Sequence, residues 1–213
     1  MPQRSSALLE PRKSPVQARS AASVDAILEA TIQVVLSVGK ERLTTTRVAT
    51  RAGVSVGTLY QYFPNKSALL QAALKRHLNE VTEAVEQACR EQEGKSPQNM
   101  ATALITAFLN AKMSHPKASV ALYSISSDVD GATIVKQMGI RSNHAIVAML
   151  ATAPEPLTKD PQLVATMLQA AMTGVSRRLL ESPTPEKQFE TLRRELIFFA
   201  SAYLDACSER KSV

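Results

Sequence analysis

Tryptophan is absent from this 213-residue chain, aromatic residues make up only 4% of it, and glycine occurs seven times. So few aromatic and turn-forming residues, beside abundant Ala and Leu, argue against a sheet-rich fold and favour packed helices. Cysteine is scarce as well. Cys89 and Cys207 stand far apart with no C-x-x-C or Cys/His ligand spacing, so they are read as buried free thiols, not as a disulfide framework, metal site or redox pair. No run reaches the roughly 18 continuous apolar residues of a membrane span, and the N-terminus lacks an apolar signal core with a small-residue cleavage site. A cytoplasmic protein with no membrane partner is expected. Hydrophobic residues nevertheless reach 45%, enough for a sizeable core.

Charge is present but unevenly placed. The chain carries a formal +6, and residues 1–66 alone hold nine Lys or Arg against four acids. A basic N-terminal end suits a polyanionic partner, nucleic acid or an anionic membrane surface. The first 19 residues contain Pro2, Pro11 and Pro15 among Ser, Gln and basic side chains, and read as a flexible basic arm. From Ser20 the pattern changes. Val24, Ile27, Leu28, Ile32 and Val35 recur at helical steps, and Gly39 supplies a stop.

The stretch from Leu43 to Phe63 is the most informative. Thr44 is an apt N-cap for a short helix that turns Val48 and Ala49 inward and ends at Ala52-Gly53-Val54. Gly53 can adopt the positive φ of a sharp interhelical turn. Ser55 caps a second short helix in which Leu59 and Phe63 face the core, and Pro64 closes it. Lys66 to about Glu93 then forms a long helix with Leu69, Leu70, Ala73, Leu74, Leu78, Val81, Val85 and Ala88 on one stripe. Gly94–Pro97 breaks it. Further helices are expected at about Gln98–Ser114, Pro116–Ser127, Gly131–Ala151, Pro161–Ser182 and Pro185–Ser208, bounded by Pro and Gly.

Two short helices around a Gly-containing turn, the second presenting hydroxyl and amide groups, meet the needs of a major-groove reader. The run Leu43-Thr44-Thr45-Thr46-Arg47-Val48-Ala49, then Ala52 to Phe63, then Lys66, resembles the N-terminal DNA-binding domain of the TetR family of transcriptional regulators. The resemblance covers about Ala22 to Leu74. It implies an all-α fold in three parts: the arm (1–19), a helix-turn-helix domain (20–66), and a larger helical ligand-sensing and dimerisation domain (67–213). It also implies double-stranded DNA as partner. Thr44, Thr45, Thr46 and Arg47 would hold a phosphate. Ser55, Val56, Thr58, Tyr60 and Gln61 would meet the DNA from the recognition helix, with Gln61 the best-equipped base reader, and Gly57 would permit close approach. Tyr62 and Lys66 would contact phosphates, with Arg12, Lys13 and Arg19 adding contacts from the arm.

The same resemblance implies a homodimer built through the last two helices, with candidate interface residues Leu163, Met167, Leu168, Ala171, Met172, Val175, Leu192, Leu196, Phe199 and Tyr203. Periodicity alone does not separate such a face from the monomer's own core. An unknown small-molecule effector, most simply a hydrophobic one, is implied in turn, with Leu104, Phe108, Met113, Leu122, Tyr123, Met138, His144 and Met149 as candidate lining residues. The expected function is a ligand-responsive regulator, a homodimeric repressor released from a pseudo-palindromic operator. Repressor and activator use the same DNA-binding parts, so that choice follows the family's usual mode. The alternative is a helical small-molecule-binding or membrane-surface protein without specific DNA binding. No Gly-rich phosphate loop, metal-ligand cluster or nucleophile-base pairing stands out, so no enzyme, cofactor or metal site is expected.

Overall fold

The structure, a computed structural model, describes residues 15–125 and 131–208. Among them it contains nine α-helices: α1 (Pro15–Val38), α2 (Thr45–Ala52), α3 (Val56–Tyr62), α4 (Lys66–Glu91), α5 (Pro97–Met113), α6 (Pro116–Ile125), α7 (Gly131–Leu150), α8 (Pro161–Leu180) and α9 (Pro185–Cys207). The chain separates into two compact units, Met1–Leu69 and Leu70–Val213, dividing within the first turn of α4.

Helix ends fall where side chains can satisfy orphan backbone groups. Thr44, Ser55, Ser96 and Asp160 each accept a hydrogen bond from a backbone N–H in the first turn of α2, α3, α5 and α8. Asn65 does the same for α4, its Oδ1 accepting from the Ala68 N–H at 2.8 Å. Pro97, Pro161 and Pro185 occupy the first helical position, where a missing N–H costs nothing. One start differs from expectation. α1 begins at Pro15, five residues before Ser20, so residues 15–19 of the expected arm are helical, consistent with the tolerance of Pro for a first turn. Arg12 and Lys13 lie outside the described residues, as does the side chain of Arg19.

In the head, α1 packs on α2 and α2 on α3. Ile27, Leu28, Val34, Val35, Leu43, Val48, Ala49, Leu59, Phe63 and Leu69 are buried. The stretch Ser20–Val38, with a mean hydropathy of 1.5, is long and apolar enough by composition to cross a bilayer. Its burial is one-sided, as in an amphipathic helix: Ile27, Leu28, Ala30, Thr31, Val34 and Val35 face inward while Asp25 and Glu29 stay exposed.

The body is organised by α5, which packs on α6, α7, α8 and α9, and by the α7–α8–α9 layer. Its core joins Val81, Val85 and Cys89 of α4 to Met100, Leu104, Ile105 and Leu109 of α5, Ile146 and Met149 of α7, Val164, Leu168 and Met172 of α8, and Leu196, Ala200 and Leu204 of α9. Both cysteines are buried free thiols, and burial pushes the Cys89 thiol up to about 12, which makes it a poor nucleophile. Two ties hold distant segments together. The Thr158 N–H and hydroxyl both donate to the carbonyl of Cys207 at the end of α9. Arg141 of α7 makes a two-pronged bond to Glu86 of α4, at 2.8 and 2.7 Å, and a third to Asn79 at 2.7 Å. That bond holds the Glu86 carboxyl below its usual range.

Candidate nucleic-acid interface and ligand cavity

The geometry of the head comes from its turn. Gly53 takes φ 68° and ψ 26°, and its N–H returns to the Ala49 and Thr50 carbonyls. The next N–H, of Val54, bonds the Ala49 carbonyl at 3.0 Å. This left-handed stop ends α2 and lets the chain reverse into α3. A Cβ at Gly53 would meet nothing within 4 Å, so glycine is required there by backbone conformation and not by crowding.

Leu59 anchors α3 inward, leaving Ser55, Gly57, Tyr60 and Gln61 exposed and Val56, Thr58 and Tyr62 half-buried. Tyr60 keeps 48% of its surface. The α2 side chains Thr44, Thr46 and Arg47 are exposed and Thr45 is half-buried. The Thr45 hydroxyl and the Tyr60 phenol lie 3.1 Å apart, which places residues from both helices on one polar surface. The Ser55 and Thr58 hydroxyls are 2.8 Å apart, and Ser55 Oγ also accepts the Thr58 N–H at 2.9 Å. Two expected phosphate contacts already hold internal bonds. Lys66 donates to the Lys40 carbonyl at 2.7 Å, bracing the loop after α1. Arg47 donates to the Arg42 carbonyl at 2.8 Å.

In the body, a cavity of about 100 Å³ lies among α4, α5, α6, α7 and α8. Three of the expected lining residues, Phe108, Tyr123 and Met138, face it. The others do not. Leu104, Leu122 and Met149 are fully buried in close-packed core, Met113 borders a shallow groove with Phe189, and His144 borders surface depressions beside α7. Lys112, Thr82 and Gln169 also line the cavity and were not among the expected residues, which apart from Tyr123 and His144 were apolar. A signal for Lys112 was present: it continues the four-residue stripe of Leu104 and Phe108.

The expected dimer stripe also divides. Leu168, Met172 and Leu196 belong to the monomer's core, and Met172 additionally lines the cavity. Ala171, Val175, Leu192 and Tyr203 pack half-buried against that core. Leu163, Met167 and Phe199 are about half exposed, and Phe198, absent from the expected set, is 71% exposed. Adjacent Phe198 and Phe199 sit about 100° apart around the helix, both turned away from the core face of α9 that Leu196 and Ala200 occupy. Among the described residues no cluster of three or more His, Cys, Asp or Glu is placed to hold a metal.

A helix-turn-helix unit followed in the chain by a helical unit that holds a cavity defines a class of two-unit regulatory folds. Comparison with known proteins narrows it. Residues 27–73 match the family described as bacterial regulatory proteins, tetR family, and residues 96–204, just over half of the chain, match the tetracyclin repressor-like C-terminal domain. The chain belongs to the TetR family. It is 31% identical over 144 residues to the HTH-type transcriptional repressor KstR of Rhodococcus jostii, a match covering 67% of this chain and 65% of that relative. KstR of Mycolicibacterium smegmatis is 46% identical over 55 residues, 26% of this chain and 27% of its own length. The chain therefore spans less than two thirds of the length of these relatives. A solved transcriptional regulator from Rhodococcus sp. Rha1 shares the fold at a TM-score of 0.69 and 19% identity, over 89% of this chain and all of that one.

Proposed function

We propose that the protein is a homodimeric transcriptional repressor that binds a pseudo-palindromic DNA site and releases it when a small molecule occupies the body. The observation that carries this reading is the solvent-facing side of α3, where Tyr60 and Gln61 stand on a recognition helix fixed by the Gly53 turn and joined to α2 through Thr45. A glutamine amide there can donate to and accept from a base edge, while the Thr44–Arg47 turn and its backbone N–H groups meet a phosphate. Lys66 acts chiefly as a brace, because its ammonium is held by loop carbonyls.

Two recognition helices need a two-fold partner, with half-sites about 34–36 Å apart. The exposed apolar side chains Leu163 and Met167 of α8 and Phe198 and Phe199 of α9 support pairing through those helices. Repression is carried over from the KstR relatives, which are named transcriptional repressors. Release is a population shift: the effector binds better to a body conformation that disfavours DNA, and α4, which belongs to both units, carries the change.

Selection of genomic DNA fragments by the purified protein, followed by binding at several salt concentrations, tests the reading. The expected result is a recurring inverted repeat with a steep salt slope. Gln61→Ala should lose discrimination at one base pair of each half-site, by about 1–3 kcal/mol. Weak binding without sequence preference would sink the regulator reading and favour a basic helical binding protein.

A further inference from the structure

Lys112 lies on α5 in register with Leu104 and Phe108, so the helix carries its ammonium inward with the apolar stripe. The residue is only 4% exposed, and it lines the cavity. An ammonium in such a place loses hydration and needs compensation. What it has is partial. Nζ donates to the Tyr123 hydroxyl and lies 4.5 Å from the centroid of the Tyr123 ring and 5.7 Å from that of Phe108. Among the described residues no carboxylate lies within ion-pair distance of it.

Among the described residues, the neighbouring groups supply no anion to Lys112. His77 is equally buried, with its Nε2 3.0 Å from the Ser119 hydroxyl, which also donates to the Lys112 carbonyl. Burial first, then the Lys112 charge, pushes the His77 imidazole down to about 4, so it stays neutral near pH 7. Two of the wall's polar side chains are already engaged, the Thr82 hydroxyl donating to the Leu78 carbonyl and the Gln169 amide to the Gly139 carbonyl, and its remaining hydroxyls, Ser142 and Thr173, carry no charge. The rest of the wall is largely apolar, including Leu78, Val81, Val85 and Ile146.

We propose that the effector is a small apolar monocarboxylic acid whose carboxylate pairs with Lys112 while its body fills the cavity. This rests on the ligand-responsive reading above and gives its ligand a chemistry. An ammonium has three donors, and a carboxylate can take those left beside Tyr123 as charge-assisted hydrogen bonds. One cation matches one anionic group, since a second would be buried without a partner. The size of the acid is set by the walls. About 100 Å³ suits a single ring or a short chain, with Met138 and Met172 able to change rotamer for a slightly larger body.

The test is titration calorimetry of the full-length protein with benzoate and hexanoate against benzamide and hexanamide, their neutral counterparts. The acids should bind at least about tenfold more tightly than the amides, a margin of about 1.4 kcal/mol. Lys112→Met should abolish that preference while amide binding persists, with thermal melting to establish that the variant folds. Equal binding of acid and amide to the unaltered protein overturns the proposal whether or not that variant folds, as does an acid preference that survives Lys112→Met. Selection of DNA is measured separately, without acid. A protein that prefers acids but selects no DNA supports this site and sinks the regulator reading. One that binds its operator yet treats acid and amide alike sinks this site and leaves the regulator reading intact.

Discussion

The head settles much of its polar chemistry within three residues of sequence, whereas the body settles key contacts across thirty or more. Thr44 accepts from the Arg47 N–H, Ser55 from that of Thr58 and Asn65 from that of Ala68. In the body, Ser119 meets His77, Arg141 meets Glu86 and Thr158 meets Cys207, over separations of 42, 55 and 49 residues. A unit built on short-range bonds announces itself in a short motif. One built on long-range packing shows its helices but not which face of each helix does what.

Paired substitutions sharpen this contrast. The largest effect is expected at Leu104, fully buried in the body core: Leu104→Ala should cost about 2–5 kcal/mol of stability through lost burial and a cavity. Leu163→Ala removes the same atoms from a side chain 51% exposed in the monomer. It should leave monomer stability within about 0.5–1 kcal/mol and instead weaken the dimer. Denaturant titration and sedimentation separate the two outcomes, and equal losses of stability would break the distinction between core and face.

His77 probes long-range burial through pH. Its folded value of about 4 lies below the ordinary 6.5, so the native state resists a proton that the unfolded chain accepts. The stability this contributes is complete above pH 6.5 and is lost as pH falls from 6.5 through 4. At 1.36 kcal/mol per unit it amounts to at most about 3 kcal/mol. Unfolding followed between pH 7 and 4 should show the loss, and His77→Gln should flatten that segment of the curve. An unchanged slope in the variant would place the sensitivity elsewhere.

A backbone substitution tests the local side. Gly53→Val forces a β-branched residue to φ 68° with no steric contact beyond the backbone, at about 1–2 kcal/mol, and Gly53→Asn should cost less because Asn tolerates the left-handed region. Thermal melting gives the stability, and loss of sequence-selective DNA binding should exceed that of the Asn variant. Equal melting temperatures for the two variants would show that the turn is not limited by φ.

Caps and breakers made the helices legible. Gly39, Gly53 and Gly94 take positive φ at or just beyond helix ends, and Pro97, Pro116, Pro161 and Pro185 each begin a helix. The candidate DNA surface was legible too, because exposure on a seven-residue helix anchored by Leu59 follows from spacing. What spacing did not reveal is that Thr45 reaches Tyr60 and Lys66 reaches the Lys40 carbonyl, since those bonds join residues 15 and 26 apart. In the body the misplacements share one cause. Leu168 and Leu163 are both apolar residues on α8, and only the helices packed on either side determine that one enters the core while the other stays half exposed.

The sequence by itself determined an all-helical chain, most of the places where its helices start and stop, and the helix-turn-helix head, because propensity, capping and turn conformation act between near neighbours. Only the tertiary structure decided that Phe108, Tyr123 and Met138 share a cavity with Lys112, that Met172 lines it, and that Phe198 lies outside the core. Those outcomes depend on which helix faces meet, and apolar side chains carry no directional signal beyond their own helix.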